Sequence, residues 1–127
     1  MDNSSPENLI VVKKEPDGIA YVTINRPKSL NSLTRPMMVD LARAFNSLSS
    51  DDSVGVIILS GMWKWIRLLK WEWCRKPIIG AVSGFSVTAG YEISLACDIL
   101  IASTDAKFVD THATFGLILF IIMLILV

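Results

Sequence analysis

The sequence predicts an α/β fold, and three observations carry that prediction. Short apolar runs at Val54 to Leu59, Ile78 to Val82 and Ile99 to Ala102 are nearly continuous, as strands buried on both faces of a parallel sheet are. Between such runs lie segments with helical spacing, of which Met37, Met38, Leu41, Ala44, Phe45 and Leu48 form the longest. Strand, helix, strand in that order implies a βαβ unit with a right-handed crossover.

Taken in order, the first element is a hairpin. Leu9 to Val12 and Ile19 to Ile24 are apolar or alternating, and they flank Glu15-Pro16-Asp17-Gly18, whose residue types favour a tight turn. Thr34 is placed to cap the next helix and Pro36 sits in its first turn, where a missing N–H costs nothing. The helix buries one face, and the strand from Val54 to Leu59 follows. After the strand from Ile78 to Val82, Ser83-Gly84 makes a turn, and Ala89-Gly90 opens a short helix carrying Glu92, Ile93, Leu95 and Ala96. The strand from Ile99 to Ala102 completes a second strand-helix-strand pattern.

Composition bounds the function. Of 127 residues 52% are hydrophobic and 19% charged, enough apolar material for one core, so a single domain is expected. Twelve basic residues balance twelve acidic ones, which leaves no broad field to favour nucleic acid. Cys74 and Cys97 have neither metal-ligand spacing nor the look of a disulfide framework, and no apolar N-terminal signal precedes them, so a reducing, intracellular setting is expected. No cofactor or metal is implied.

The chemistry concentrates between Lys76 and Gly116. A strand, a glycine turn, a helix entry of small residues and a glutamate follow one another there. Backbone N–H groups in the first turn of a helix have no intrahelical partner and lie at the positive end of its dipole, so they can stabilise a developing enolate oxygen. Glu92 stands beside that donor as a candidate acid/base; the alternative is an acidic residue favoured there by the dipole alone. Gly84, Ala89 and Gly90 are candidates for close approach of a ligand, or else ordinary turn and packing residues.

Two segments resemble the crotonase, or enoyl-CoA hydratase/isomerase, superfamily, with the plant peroxisomal monofunctional enoyl-CoA hydratases as the nearest likeness. The first is VTINRPKSLNSLTRPMMVDL from Val22, in which Asn25-Arg26-Pro27 and Leu30-Asn31-Ser32-Leu33 look like the family's strand exit and following loop. In the second, Gly84, Ala89-Gly90, Glu92 and Ala96-Cys97-Asp98 fall at the family's spacing. The resemblance implies the N-terminal half of a spiral built from ββα units, and hydration of trans-2-enoyl-CoA in fatty-acid β-oxidation. It also implies Glu92 and Ala89 as catalytic positions, and Gly84, Ala89, Gly90, Lys28 and Leu30 as substrate-binding ones. An acyl-CoA thioester is the expected partner, and peroxisomal placement is inherited from the resemblance. The chain ends Ile125-Leu126-Val127 rather than in a peroxisomal tripeptide, which leaves a cytoplasmic location as the other expectation.

Departures from the family shape the expectation further. After Ser60-Gly61 the family continues with a loop that supplies a first oxyanion N–H; here Met62 to Cys74, MWKWIRLLKWEWC, stands instead and holds all four tryptophans. Lys64, Arg67 and Lys70 recur every third residue in it, so as a helix it would present a basic stripe suited to a membrane surface or a partner groove. The alternative is a fortuitous insert. Beyond Gly116 the chain runs LILFIIMLILV, too short for a membrane span of about 20 residues, and more in keeping with a buried element or an aggregation-prone end. His112 stands where bifunctional members of the family carry a second glutamate, with Asp110 beside it as a water-orienting candidate or a solvated loop carboxylate. The chain therefore reads as a single incomplete domain, a truncated or alternatively spliced hydratase with weak or absent turnover. The other class in view is a non-catalytic splice product, or a module that binds a membrane or partner.

Overall fold

Two strands joined by a tight turn open the chain. A computed structural model describes residues 8–29, 34–61, 63–64, 74–111 and 113. Strands β1 (Ile10–Lys14) and β2 (Ile19–Ile24) pair antiparallel, with Ile10 opposite Ile24 and Lys14 opposite Ala20. Gly18 turns the chain at φ 84, a left-handed conformation that glycine adopts without steric cost, and the Glu15 N–H donates to the Ile19 carbonyl at 2.8 Å. Along β2 the side chains alternate, and Ala20, Val22 and Ile24 are buried.

A turn of 3-10 helix (Pro27–Ser29) follows β2, and helix α1 (Arg35–Ser49) then covers the buried face of the sheet. Its apolar residues at helical spacing, Met37, Leu41, Phe45 and Leu48, join Ala20, Val22, Ile24, Ile57 and Leu59 in one core. Burying such a side chain contributes about 1.5–3 kcal/mol, so this stripe, more than propensity, fixes the helix. Pro36 lies in the first turn as expected. Thr34 does occupy the N-cap in an extended conformation, but its side chain makes no capping hydrogen bond, so the cap contributes less than its residue type promised.

The remaining strands come in pairs, and this organises the whole chain. β3 (Val56–Ser60) leads through Gly61 to β4 (Trp63–Lys64), β5 (Ile78–Val82) through Ser83-Gly84 to β6 (Phe85–Val87), and β7 (Ile99–Ala102) through a turn to β8 (Lys107–Val109). The first members extend a five-stranded sheet in the order β1-β2-β3-β5-β7; the second members form a three-stranded sheet in the order β4-β6-β8. All pairings except β1 with β2 are parallel. Helix α2 (Ala89–Leu95) follows β6 and returns the chain to β7. Each turn of this spiral thus adds one strand to each sheet, and the unit β5-β6-α2 is the ββα repeat.

The three apolar runs expected to lie side by side and parallel do so, with Ile58 opposite Ile79 and Ile79 opposite Ile99. The alternative of a helix around Trp63 is not taken up at its start, since Trp63 and Lys64 pair with Ser86 and Val87 as a strand. Residues 65–73 of that segment, the tail from 114 and His112 lie outside the described residues. No helix among the described residues is long and apolar enough to cross a membrane.

Candidate functional site

The parallel strands align their C-terminal ends. Thr23 of β2 lies opposite Ser60 of β3, Ser60 opposite Ala81 of β5, and Val82 opposite Ala102 of β7. Segments that leave these ends share one edge of the sheet, the edge at which parallel α/β sheets bind ligands. Lys28 follows β2 there and is exposed, Gly61 follows β3, and Gly84 follows β5. Leu30 lies outside the described residues. Thr23 and Ser60 link their hydroxyls at 3.1 Å across this edge.

Gly84 permits the sharp exit from β5 because it adopts φ 67. Its carbonyl accepts the Lys107 N–H at 2.7 Å, which fastens the β5-β6 turn to β8. β6 then delivers the chain to α2 through Thr88, the N-cap residue, at φ 52 and ψ −110. Thr88 is the one residue other than glycine with a positive φ among the described residues. Along α2 the Glu92 N–H donates to the Thr88 carbonyl at 2.9 Å. The N–H groups of Ala89 and Gly90, one and two residues into the helix, precede the point at which intrahelical acceptors exist.

Beneath this first turn lies a buried polar layer. Ser86 and Thr88 on the β6 side, and Glu92 and Ser94 on α2, are all buried. Ser94 donates its hydroxyl proton to the Gly90 carbonyl at 2.9 Å, so its contact with Ser86 at 3.0 Å makes Ser86 the donor. Burying these hydroxyls without partners would be costly, and the chain from Ser86 through Ser94 to Gly90 satisfies them. Glu92 is 9% exposed and belongs to the first turn, where the helix dipole favours a carboxylate. Ile93 from the same helix enters the main core, which ties the site to the sheet.

The Ala96-Cys97-Asp98 motif turns out to be structural. Asp98 accepts the Ile78 N–H on Oδ2 at 2.8 Å and donates its own N–H to the Ile78 carbonyl at 2.9 Å, pinning the start of β5 to the end of α2. Cys97 donates to the Ile93 carbonyl at 3.4 Å, and burial, with a smaller effect from Asp98, pushes its thiol up to about 12. So high a value leaves little thiolate at neutral pH. Among the described residues no group of three His, Cys, Asp or Glu side chains is arranged to hold a metal. Asp110 lies after β8, half-buried, within 3.4 Å of the Ala113 N–H. The structure therefore places Ala89, Gly90 and Glu92 together in the first turn of α2, at the exit of β6, and Gly84 at the entry of the same strand. The sequence reading missed Ser86, Thr88, Ser94 and Thr111, whose hydroxyls hold that turn in place.

The sequence pattern of the enoyl-CoA hydratase/isomerase family matches residues 14–67 and 64–127. The chain is 51% identical to the probable enoyl-CoA hydratase 1, peroxisomal, of Arabidopsis thaliana, over 92% of this chain and 53% of that protein. That alignment spans 140 positions, more than the 127 residues here, so the relative carries residues without a counterpart in this chain. Among solved structures, enoyl-CoA hydratase from Mycobacterium tuberculosis H37Rv superposes with a TM-score of 0.75 at 32% identity, covering 86% of this chain and 54% of the other. A monofunctional enoyl CoA isomerase from M. smegmatis gives the same TM-score and identity over 80% and 53%. The chain spans about half the length of these relatives. With sequence pattern, spiral topology and the β6-α2 junction in agreement, the chain belongs to the enoyl-CoA hydratase/isomerase family.

Proposed function

We propose that this chain carries the thioester-facing part of an enoyl-CoA hydratase site and turns over slowly or not at all in this form. The observation that supports it is the β6-α2 junction, where the amides of Ala89 and Gly90 and the buried carboxylate of Glu92 fall within one helical turn. In hydration the water oxygen bonds the β-carbon of the conjugated thioester, and the electron pair moves through the α-carbon onto the thioester oxygen. A proton then reaches the α-carbon on the same face. The Ala89 N–H stabilises the oxygen as charge develops, and Glu92 moves protons between water and substrate. Lys28, after β2, and Gly84, after β5, line the approach of the acyl-CoA, and Leu30 is assigned to substrate binding by the resemblance alone.

Fold alone does not separate hydration from isomerisation, since a hydratase and an isomerase superpose equally well. Hydration is preferred on the 51% likeness to the plant hydratase. Reduced turnover follows from the missing family loop after Gly61, which supplies a second donor; loss of one such donor costs about 10²–10³ in rate. The test is binding and hydration of crotonyl-CoA by the purified chain. Binding is expected with turnover at least about 100-fold below an intact relative, abolished by Glu92→Gln and little changed by His112→Ala. Turnover equal to an intact relative overturns the reduced-activity reading, and absence of thioester binding overturns the whole. A peroxisomal location is proposed on the same likeness; a tagged chain that fails to coincide with a peroxisomal marker overturns it.

A further inference from the structure

The conformation of Thr88 is unusual for its residue type. A φ of 52 with ψ −110 is outside the regions that β-branched L-residues readily occupy, and such strain persists only where the surroundings impose it. Two hydrogen bonds from one neighbouring segment do so. The Thr88 N–H donates to the carbonyl of Val109, the last residue of β8, at 2.9 Å, and the Thr88 hydroxyl meets the Thr111 hydroxyl at 2.5 Å. Thr88 is 3% exposed and Thr111 half-buried, so water reaches these contacts only from the Thr111 side.

We propose that Thr88 and Thr111 form a latch that holds the Thr88-Ala89 peptide in its strained orientation, making both threonines positioning residues for the Ala89 amide. The use of that amide toward a thioester rests on the hydratase reading above; the latch itself rests on the geometry alone. The carbonyl of this peptide is fixed by the Glu92 N–H, and its orientation about the Cα of Thr88 is fixed by the contacts to the end of β8 and to Thr111 after it. A donor aimed in advance needs no reorganisation when charge develops, which is what gives such donors their effect. The latch also makes the aim of the amide depend on β8, a strand that contributes no residue to the predicted chemistry.

Amide hydrogen exchange on the full chain tests the latch without any ligand. A typical hydrogen bond is worth about one factor of ten in an equilibrium, so Thr111→Val is expected to speed exchange about tenfold at the two amides that the latch keeps bonded, Thr88 to the Val109 carbonyl and Glu92 to the Thr88 carbonyl. Thr111→Ser, which keeps the hydroxyl, is expected to restore the slow rate, and the amides of Ile57 and Leu59 in β3 should not change in either variant. Should Thr111→Val unfold the chain, Thr88→Gly removes the hydroxyl while tolerating the torsion, and the same rise is expected. Unchanged exchange at Thr88 and Glu92 in folded Thr111→Val, or at Glu92 in folded Thr88→Gly, overturns the latch. A conjugated enoyl-CoA whose absorption moves to the red when its carbonyl is polarised supplies the second readout. The shift is expected in the parent and in Thr111→Ser, and to be lost in Thr111→Val. A parent chain that produces no shift refutes the thioester reading, while the exchange rates still decide the latch.

Discussion

The first turns of the spiral and its last described turn are built from the same unit but have different surroundings. Around β2, β3 and α1 the apolar side chains close on one another, and Ala20, Val22, Met37, Leu41, Ile57 and Leu59 are fully buried. In β7 every residue is exposed, with Ile99 at 54% and Ile101 at 58%, and Phe108 and Val109 of β8 are exposed beside them. The residue types are alike, so the difference lies in what stacks on each strand. β7 and β8 are edge strands of their two sheets, on the same side, whereas β3 and β5 have a neighbour on both sides. In stacked architectures the terminal unit exposes what an interior unit buries, unless its outer face is polar. Here that face is apolar.

The comparison is broken most directly by matched substitutions. Ile57→Ala, in β3, is expected to cost about 2–5 kcal/mol in urea unfolding, because the transfer term and the cavity add. Ile101→Ala, in β7, is expected to change stability by no more than about 0.5 kcal/mol. Equal costs would mean that the outer turn is covered after all.

A smaller effect is expected where the two regions meet. A Cβ at Gly80 in β5 would lie 2.9 Å from the Cys97 Sγ and 3.2 Å from the Leu100 Cδ1, so Gly80→Ala should destabilise by about 1–3 kcal/mol through overpacking. In a Cys97→Ala background the same change should cost less, since the nearest atom is gone. Additive costs would show that the approach of β5 to the α2-β7 turn is looser than described.

The smallest effect belongs to the closed region's rim. Asp51 accepts from the Ser53 hydroxyl and amide and from Lys14 at 2.9 Å, and these contacts, Ser53 first, hold its carboxyl below the usual carboxylate range. A carboxyl depressed in the folded state contributes stability above its unfolded value of 3.8, and that contribution is lost as pH falls through the folded value. Asp51→Asn should therefore flatten the decline of the urea midpoint below pH 3.8 and lower it slightly at neutral pH. A pH profile unchanged by the substitution would remove Asp51 from the account.

Much of this was legible in the residues, for reasons that differ by region. The hairpin, α1 and the strands β3, β5 and β7 have period or composition; β2, α1, β3 and β5 bury what their pattern marks, while β1 and β7 keep their places through pairing with β2 and β5 although they are largely exposed. The second sheet was not legible, since its strands hold two or three residues, too few for any period, and pair residues as distant as Ser86 and Phe108. At the site, Gly84, Ala89, Gly90 and Glu92 were marked by residue type and spacing. Thr88 was not, because a threonine gives no sign that its backbone will be held at a positive φ. The tryptophan segment misled at its start for the opposite reason: helical spacing over Trp63 and Lys64 yields to the hydrogen bonds that β6 offers.

The close approach of Gly80 to Cys97 has a chemical consequence. With its thiol held protonated by burial and its sulfur close to β5, Cys97 is expected to react with an alkylating reagent at neutral pH more slowly than a cysteine of the unfolded chain. The chain thereby carries its own clock: the rate at which Cys97 reacts reports how often α2 and the turn after it open from the sheet, with no residue changed.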